Sequence, residues 1–124
     1  MLLRLGTDII EIDRIAKAVM KSKHFGERVF AASERAYAKS RGKQEMASLA
    51  GMYAAKEAFF KALGTGFRGG SWHEIYVQRD ELGAPHIICN GKFKAMLQER
   101  GFSHIEVSIS HCRDYATATV ILTK

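Results

Sequence analysis

Glu57 is the residue whose setting first asks for an explanation. At about 100° per residue, Met46, Ala50, Tyr53 and Phe60 fall on one face of a helix, and Glu57 lies near the centre of that stripe. A carboxylate on an apolar face is costly unless it is paired or bound to a metal. Lys61 stands one turn further on, within reach of the same face. Spacing alone therefore leaves two readings open: a metal-site carboxylate, or a Glu57–Lys61 salt bridge at the edge of the core.

Asp8 is the second acid of interest. It sits in Gly6-Thr7-Asp8-Ile9-Ile10-Glu11, at the end of an apolar strand, where functional residues often stand and where an acid can equally cap a helix. Two carboxylates from separate elements would suit a hard cation such as Mg²⁺, which prefers oxygen ligands and keeps waters or phosphate oxygens. The third candidate is Ser108-Ile109-Ser110-His111. His111 shares the parity of Ile105, Val107 and Ile109. It is either a satisfied histidine at the core edge or a group that contacts phosphate or moves protons. The run Gly64-Thr65-Gly66-Phe67-Arg68-Gly69-Gly70 lacks the spacing of a P-loop or a dinucleotide fingerprint. A C-capping turn explains its first glycine, while Thr65, Arg68 and exposed amides offer phosphate contacts. Arg14, Lys17 and Lys21 fall at i, i+3 and i+7 and make one basic stripe.

These residues need elements to carry them. Leu2–Ile10 reads as a strand, and the period turns helical near Asp13, with Ile15, Val19 and Met20 recurring. Ser33 reads as the N-cap of a short helix ending near Gly42. Glu45–Leu63 is the strongest helical pattern, with Gly64 as its natural C-cap. Trp72–Arg79 reads as a strand, Asp80–Gly83 as a turn and Pro85–Cys89 as a strand. Gly91–Arg100 reads as an amphipathic helix closed by Gly101. His104–His111 and Tyr115–Thr123 read as a hairpin turned at Arg113 and Asp114. The pattern is α+β: a mostly antiparallel sheet packed with helices.

The chain has 124 residues, the size of one domain, and residues 1–124 are read as one. No apolar run approaches the ~20 residues needed to span a membrane, so membrane insertion is not expected. The N-terminus lacks a charged leader and a long apolar stretch, so a cytoplasmic location is expected. Cys89 and Cys112 form no metal-type pair and read as reduced packing residues. The net charge of +6 attracts polyanions. There is no Lys/Arg run, aromatic RNA-binding signature or zinc-finger spacing, which argues against nucleic acid. A non-catalytic basic module binding an acidic protein or nucleic acid is the alternative to an enzyme.

Taken in order, four stretches resemble the holo-[acyl-carrier-protein] synthases, the small bacterial 4'-phosphopantetheinyl transferases. They are Gly6-Thr7-Asp8-Ile9-Ile10-Glu11-Ile12, then Lys56-Glu57-Ala58-Phe59-Phe60-Lys61-Ala62-Leu63-Gly64-Thr65-Gly66, which is the most specific. Gly83-Ala84-Pro85 follows, and then Ser108-Ile109-Ser110-His111 with Tyr115-Ala116-Thr117-Ala118. The resemblance implies transfer of the 4'-phosphopantetheine arm of coenzyme A to a serine of apo-acyl carrier protein, releasing 3',5'-ADP, in support of fatty acid biosynthesis. It implies that Asp8 and Glu57 hold Mg²⁺ and that Lys61 contacts phosphate. It places Gly64, Thr65, Gly66, Ser110 and His111 around the nucleotide, and Arg14, Lys17 and Lys21 against the carrier protein. It implies a homotrimer with sites between subunits, a neighbour supplying His111. The attacking serine would lose its proton to a metal-associated water held by a carboxylate, with His111 as the other candidate base. Relatives often carry basic residues that help hold the 3'-phosphate where this chain has Gly51 and Met52, which leaves Arg41 or Lys43 to substitute.

Overall fold

The computed structural model describes residues 2–66 and 70–124. The chain opens with strand β1 (Leu3–Glu11) and helices α1 (Ile12–Lys21), α2 (Lys23–Val29) and α3 (Ala32–Ser40). A 3₁₀ turn over Gly42–Gln44 leads into the long helix α4 (Glu45–Leu63). A second 3₁₀ turn, Trp72–Glu74, precedes β2 (Ile75–Arg79) and β3 (Pro85–Cys89). Helix α5 (Gly91–Glu99) and strands β4 (His104–His111) and β5 (Tyr115–Thr123) complete the chain. The strands form two antiparallel sheets, β1-β5-β4 and β2-β3. This is the α+β arrangement expected from the pattern. Among the described residues no helix is long and apolar enough to cross a membrane.

Helix α4 lies on the inner face of the three-stranded sheet, and the register decides which residues meet it. Directly opposed residues share a face. Gly6, Asp8 and Ile10 on β1 therefore face inward with Val120, Ala118 and Ala116 on β5 and with Val107, Ile109 and His111 on β4. Close approach is built into β1: a Cβ on Gly6 would lie 1.9 Å from the Ala58 carbonyl oxygen and 2.6 Å from the Ala62 nitrogen. The small residues of α4 leave room for the strand backbone and for nothing more. Gly6→Ala is expected to cost about 3 kcal/mol or more through overpacking, read as a lowered urea midpoint. An unchanged midpoint would contradict this packing.

Helix α4 ends where expected. Gly64 takes the left-handed conformation (φ 84°) and its N–H donates to the Phe60 carbonyl, an arrangement a residue with a Cβ rarely adopts. The side chains of Arg4 and Arg100 donate to the last carbonyls, Ala62 and Leu63, cations at the helix end that the dipole favours.

Several local expectations are corrected. Ser33 sits inside the first turn of α3. Ala31 occupies the N-cap position, and the Glu34 carboxylate accepts from its N–H at 2.8 Å. Helix α2 is an element the periodicity did not reveal, started by the Ser22 hydroxyl accepting from the Phe25 N–H. Trp72–Glu74 is a 3₁₀ turn rather than strand, because Ser71 and Glu74 cap it reciprocally. Met20 is exposed. Cys112 is exposed as well and only Cys89 is partly packed, so the reading of both as packing residues holds for one.

The largest departure concerns α4. Its apolar residues run round the whole helix, and thirteen of its nineteen residues are buried, including Leu49, Met52, Phe59, Phe60 and Leu63. Met46, Tyr53 and Glu57 lie on its less buried strip, with Lys61 exposed beyond them. Glu57 is thus on the open side of a buried helix and not in the middle of its core face. The fully buried charge is its neighbour, Lys56. The Lys56 Nζ donates to Glu34 Oε1 and to the Val29 carbonyl, each at 2.7 Å. Glu34 Oε2 accepts from the Val77 N–H at 2.8 Å. One satisfied network thus ties α2, α3, α4 and β2 together. Burial pushes the Lys56 ammonium down, and the Glu34 carboxylate beside it pulls the other way.

Candidate active site

Strand β1 and helix α4 bring Asp8, Glu57 and Lys61 together. The backbone of Asp8 is held by its place opposite Ala118 and by Thr117, whose hydroxyl donates to the Asp8 carbonyl at 2.8 Å. Its inward side chain accepts from Lys61 Nζ at 3.0 Å. Asp8 is 15% exposed and Lys61 is 57% exposed. An ion pair so open to solvent contributes under about 1 kcal/mol. The salt bridge read from spacing as Glu57–Lys61 is therefore Asp8–Lys61 in the folded chain, across 53 residues of sequence.

Glu57 is held from the other direction. Tyr53 stands one turn before it and acts on its carboxylate through the phenol, and the Tyr53 ring stacks on Trp72 at 5.6 Å. Partial burial, then the charge of Asp8, raise the Glu57 carboxyl above its ordinary range, while the Tyr53 hydrogen bond and Lys61 oppose the rise. Burial, followed by the Glu57 charge, pushes the Tyr53 phenol up to about 12, and Arg14 opposes that shift. A carboxylate whose ionisation is made costlier by burial and by a second acid beside it makes a place where added positive charge is favourable.

That is the setting a small hard cation needs. Among the described residues no cluster of three or more His, Cys, Asp or Glu side chains is gathered. Two oxygen donors nevertheless suit Mg²⁺, which binds through one or two carboxylates and takes phosphate oxygens and waters for the rest. The donor set present fits the ion.

Gly64, Thr65 and Gly66 follow Lys61 at the end of α4, with the Thr65 hydroxyl donating to the Gly66 carbonyl. Arg68 lies outside the described residues. Ser110 and His111 are not gathered with Asp8. Ser110 pairs with Thr117, on the face of the sheet opposite Asp8. His111 faces inward but two strands away, and it lines a groove of about 530 Å³ with Tyr37, Arg41, Ser48, Gly51 and Arg79. It also borders a second groove with Lys43, Met46 and Arg113. The basic stripe is exposed on α1. Lys17 is paired with Asp13 at 2.8 Å, which holds its ammonium above the ordinary range. Among the described residues Arg14 and Lys21 have no carboxylate within ion-pair distance.

Sequence reasoning gave Tyr53 no part in the site. Its spacing of four residues before Glu57 was the available signal. The charge of Arg14 reaches Tyr53, so the basic stripe borders the carboxylate pair, a neighbourhood that spacing within α1 could not reveal.

Comparison with known proteins places the chain in a family. The family model of the 4'-phosphopantetheinyl transferase superfamily matches residues 4–120. The holo-[acyl-carrier-protein] synthase of Vibrio parahaemolyticus is 46% identical over 123 residues, covering 98% of this chain and 97% of that protein. The crystal structure of the holo-[acyl-carrier-protein] synthase from Neisseria meningitidis matches with a TM-score of 0.88 at 35% identity, over 98% of both chains. That of the Helicobacter pylori enzyme, in complex with coenzyme A, matches with a TM-score of 0.80 at 32% identity, over 96% of this chain and 99% of that one. With the motifs, the fold and these likenesses in agreement, the chain belongs to the 4'-phosphopantetheinyl transferase superfamily as a member of the holo-[acyl-carrier-protein] synthase family.

Proposed function

We propose that the chain moves the 4'-phosphopantetheine arm of coenzyme A onto a serine of an apo-acyl carrier protein and releases 3',5'-ADP, in support of fatty acid biosynthesis. The observation that carries this reading is the meeting of Asp8, Glu57 and Lys61, two carboxylates and an ammonium at the open side of α4. Asp8 and Glu57 would hold Mg²⁺, which when bound supplies positive charge against the phosphates. Lys61 places a second positive charge where 3',5'-ADP departs. The serine oxygen forms a new bond to the β-phosphorus of coenzyme A, and the bond from that phosphorus to the 5'-phosphate of 3',5'-ADP breaks. A water held against the Asp8 and Glu57 carboxylates takes the serine proton. Gly64, Thr65 and Gly66 offer amides and a hydroxyl to the nucleotide.

The distance of Ser110 and His111 from this cluster favours a site completed by a neighbouring copy, which would bring its own His111 groove. Leu3, Leu5 and Ile9 on the outer face of the sheet are 49%, 59% and 67% exposed, an apolar surface suited to association, and the assembly in this reading is a homotrimer. Light scattering should return three chain masses, and one chain mass would remove the trimer. The assigned location is the cytoplasm, in keeping with two free thiols.

The carrier protein docks on Arg14, Lys17 and Lys21. Arg14→Glu is expected to raise the KM for carrier protein about tenfold, as reversal of a steering charge does, and to spare that for coenzyme A. An unchanged carrier KM would end the docking assignment. The reaction itself is tested by incubating the protein with coenzyme A, apo-carrier and Mg²⁺. The carrier should gain the mass of one phosphopantetheine arm. No gain, with folded protein, would leave a non-catalytic basic module as the better reading.

A further inference from the structure

The two acids of the proposed metal site are held differently. Asp8 is gripped by Lys61 Nζ at 3.0 Å. Glu57 has no cation within ion-pair distance among the described residues. A free glutamate side chain loses rotamer freedom when it is ordered on a ligand, and that loss weakens binding. A group that orients Glu57 beforehand would remove part of this cost.

The open strip of α4 supplies Tyr53. It stands four residues before Glu57, the spacing at which helical side chains meet, and both are half-buried. Its phenol acts on the Glu57 carboxylate. A phenol is protonated at neutral pH and donates one hydrogen bond, while a carboxylate offers about four acceptor positions. The phenol can therefore occupy one of them and leave the others to a cation. The phenol oxygen lies on the axis of its ring, so whatever fixes the ring fixes the donor.

Trp72 fixes the ring. Its indole stacks on Tyr53 with centroids 5.6 Å apart and planes 25° apart, and Phe60 meets it edge-on at 5.5 Å. The backbone beneath is anchored at two points. The Trp72 carbonyl lies 3.5 Å from Nζ of the fully buried Lys56. The 3₁₀ turn that carries Trp72 is capped by Glu74, whose carboxylate accepts from the Ser71 N–H at 3.0 Å and from the Lys92 N–H, in the first turn of α5, at 2.8 Å. A tryptophan tied down in this way is a rigid wall, and it stands against the ring that reaches Glu57.

We infer that Trp72 and Tyr53 are positioning residues for the metal site: Trp72 fixes the Tyr53 ring, and the Tyr53 phenol donates to the Glu57 carboxylate and holds it in the orientation that ligates Mg²⁺. This role rests on the transferase reading above, and both residues act through Glu57. Supporting a metal ligand from behind preorganises the site, because the ligand's rotamer is set before the ion arrives.

The test measures Mg²⁺ binding by calorimetry with coenzyme A present and carrier protein absent, so that no transfer occurs. Wild type is compared with Tyr53→Phe, Trp72→Leu, Trp72→Phe and the double variant Tyr53→Phe, Trp72→Leu. Tyr53→Phe keeps the ring and loses only the hydroxyl. It should weaken Mg²⁺ binding about tenfold, the effect of removing a partner that orients a metal ligand. Trp72→Leu should weaken it in the same direction, and Trp72→Phe should recover part of that loss by restoring a ring face. The double variant should bind Mg²⁺ no more weakly than Tyr53→Phe alone, because Trp72 acts through the phenol. Transfer by Tyr53→Phe should fall most at low Mg²⁺ and recover as the ion is raised. A role in packing alone would lower the melting temperature and leave the Mg²⁺ affinity of the folded protein as it is. Wild-type Mg²⁺ affinity in Tyr53→Phe, or fully additive losses in the double variant, would overturn the positioning role and leave the transferase standing. If Trp72→Leu does not fold, Trp72→Phe combined with Tyr53→Phe carries the same comparison. A wild type that binds no Mg²⁺ yet transfers the arm would remove the metal site and the positioning role together. A folded wild type that transfers nothing would overturn the transferase reading and this role with it.

Discussion

Glu57→Gln is expected to reduce Mg²⁺-dependent transfer by about a thousandfold or more, the several kcal/mol that a metal's charge supplies to a phosphoryl transition state, and to leave the fold intact. The amide matches the carboxylate in size and shape, so the packing of Tyr53 on Trp72 need not change. What it removes is the ionised oxygen. Burial and the Asp8 charge raise the Glu57 carboxyl above its ordinary 4.5, so the folded state holds that proton more tightly than the unfolded chain does. Wild-type stability therefore falls as pH rises from about 4.5 through the folded value. Above that window, metal-free Glu57→Gln should melt no lower than wild type, and below it the two should converge. Protons also compete with the cation for Glu57, so wild-type activity should fall at acid pH, and added Mg²⁺ should move that fall to lower pH. Full turnover in Glu57→Gln would remove the residue from the metal site. A large drop in melting temperature would show that its role is structural.

Lys56→Met should have the opposite signature: a large loss of stability. It leaves the Glu34 carboxylate buried among α3, α4 and β2 with, among the described residues, only the Ala31 and Val77 amides as partners. Breaking one side of a buried pair costs about 3–5 kcal/mol, roughly 10–20 °C in Tm for a domain of this size. The double variant Lys56→Met, Glu34→Gln should recover much of this loss, because it removes the uncompensated charge as well as the interaction. A single variant that melts within a degree or two of wild type would show that the pair contributes little. Read together, Glu57→Gln and Lys56→Met separate two adjacent charges on one helix. In the proposed reading, Glu57 serves the reaction and Lys56 the fold.

That separation marks where sequence reasoning stopped. The pattern around Glu45–Leu63 called correctly for a long helix ended by Gly64, because nineteen residues hold enough turns for the period to show. Pro85–Cys89, His104–His111 and Tyr115–Thr123 were legible to the residue, since alternation and flanking turn residues agree there. Local chemistry failed at shorter elements. Seven-residue α2 is too short for a clear period, and the choice of Ala31 over Ser33 as N-cap depends on where Glu34 is pulled by Lys56.

The sequence by itself determined the α+β class, the long helix and its stop. Through its motifs it also named Asp8, Glu57 and Lys61 as the residues to watch. Only the tertiary structure decided which of the adjacent charges Lys56 and Glu57 is buried, because apolar residues surround α4 and a helical wheel then has no preferred side. Only it gave Lys61 to Asp8 instead of Glu57, since the competing partner arrives from a strand 53 residues away. It also stacked Tyr53 on Trp72, and it put Ser110 and His111 beyond the reach of Asp8. Spacing governs neighbours along one element. Sheet register and helix packing govern what meets across the fold.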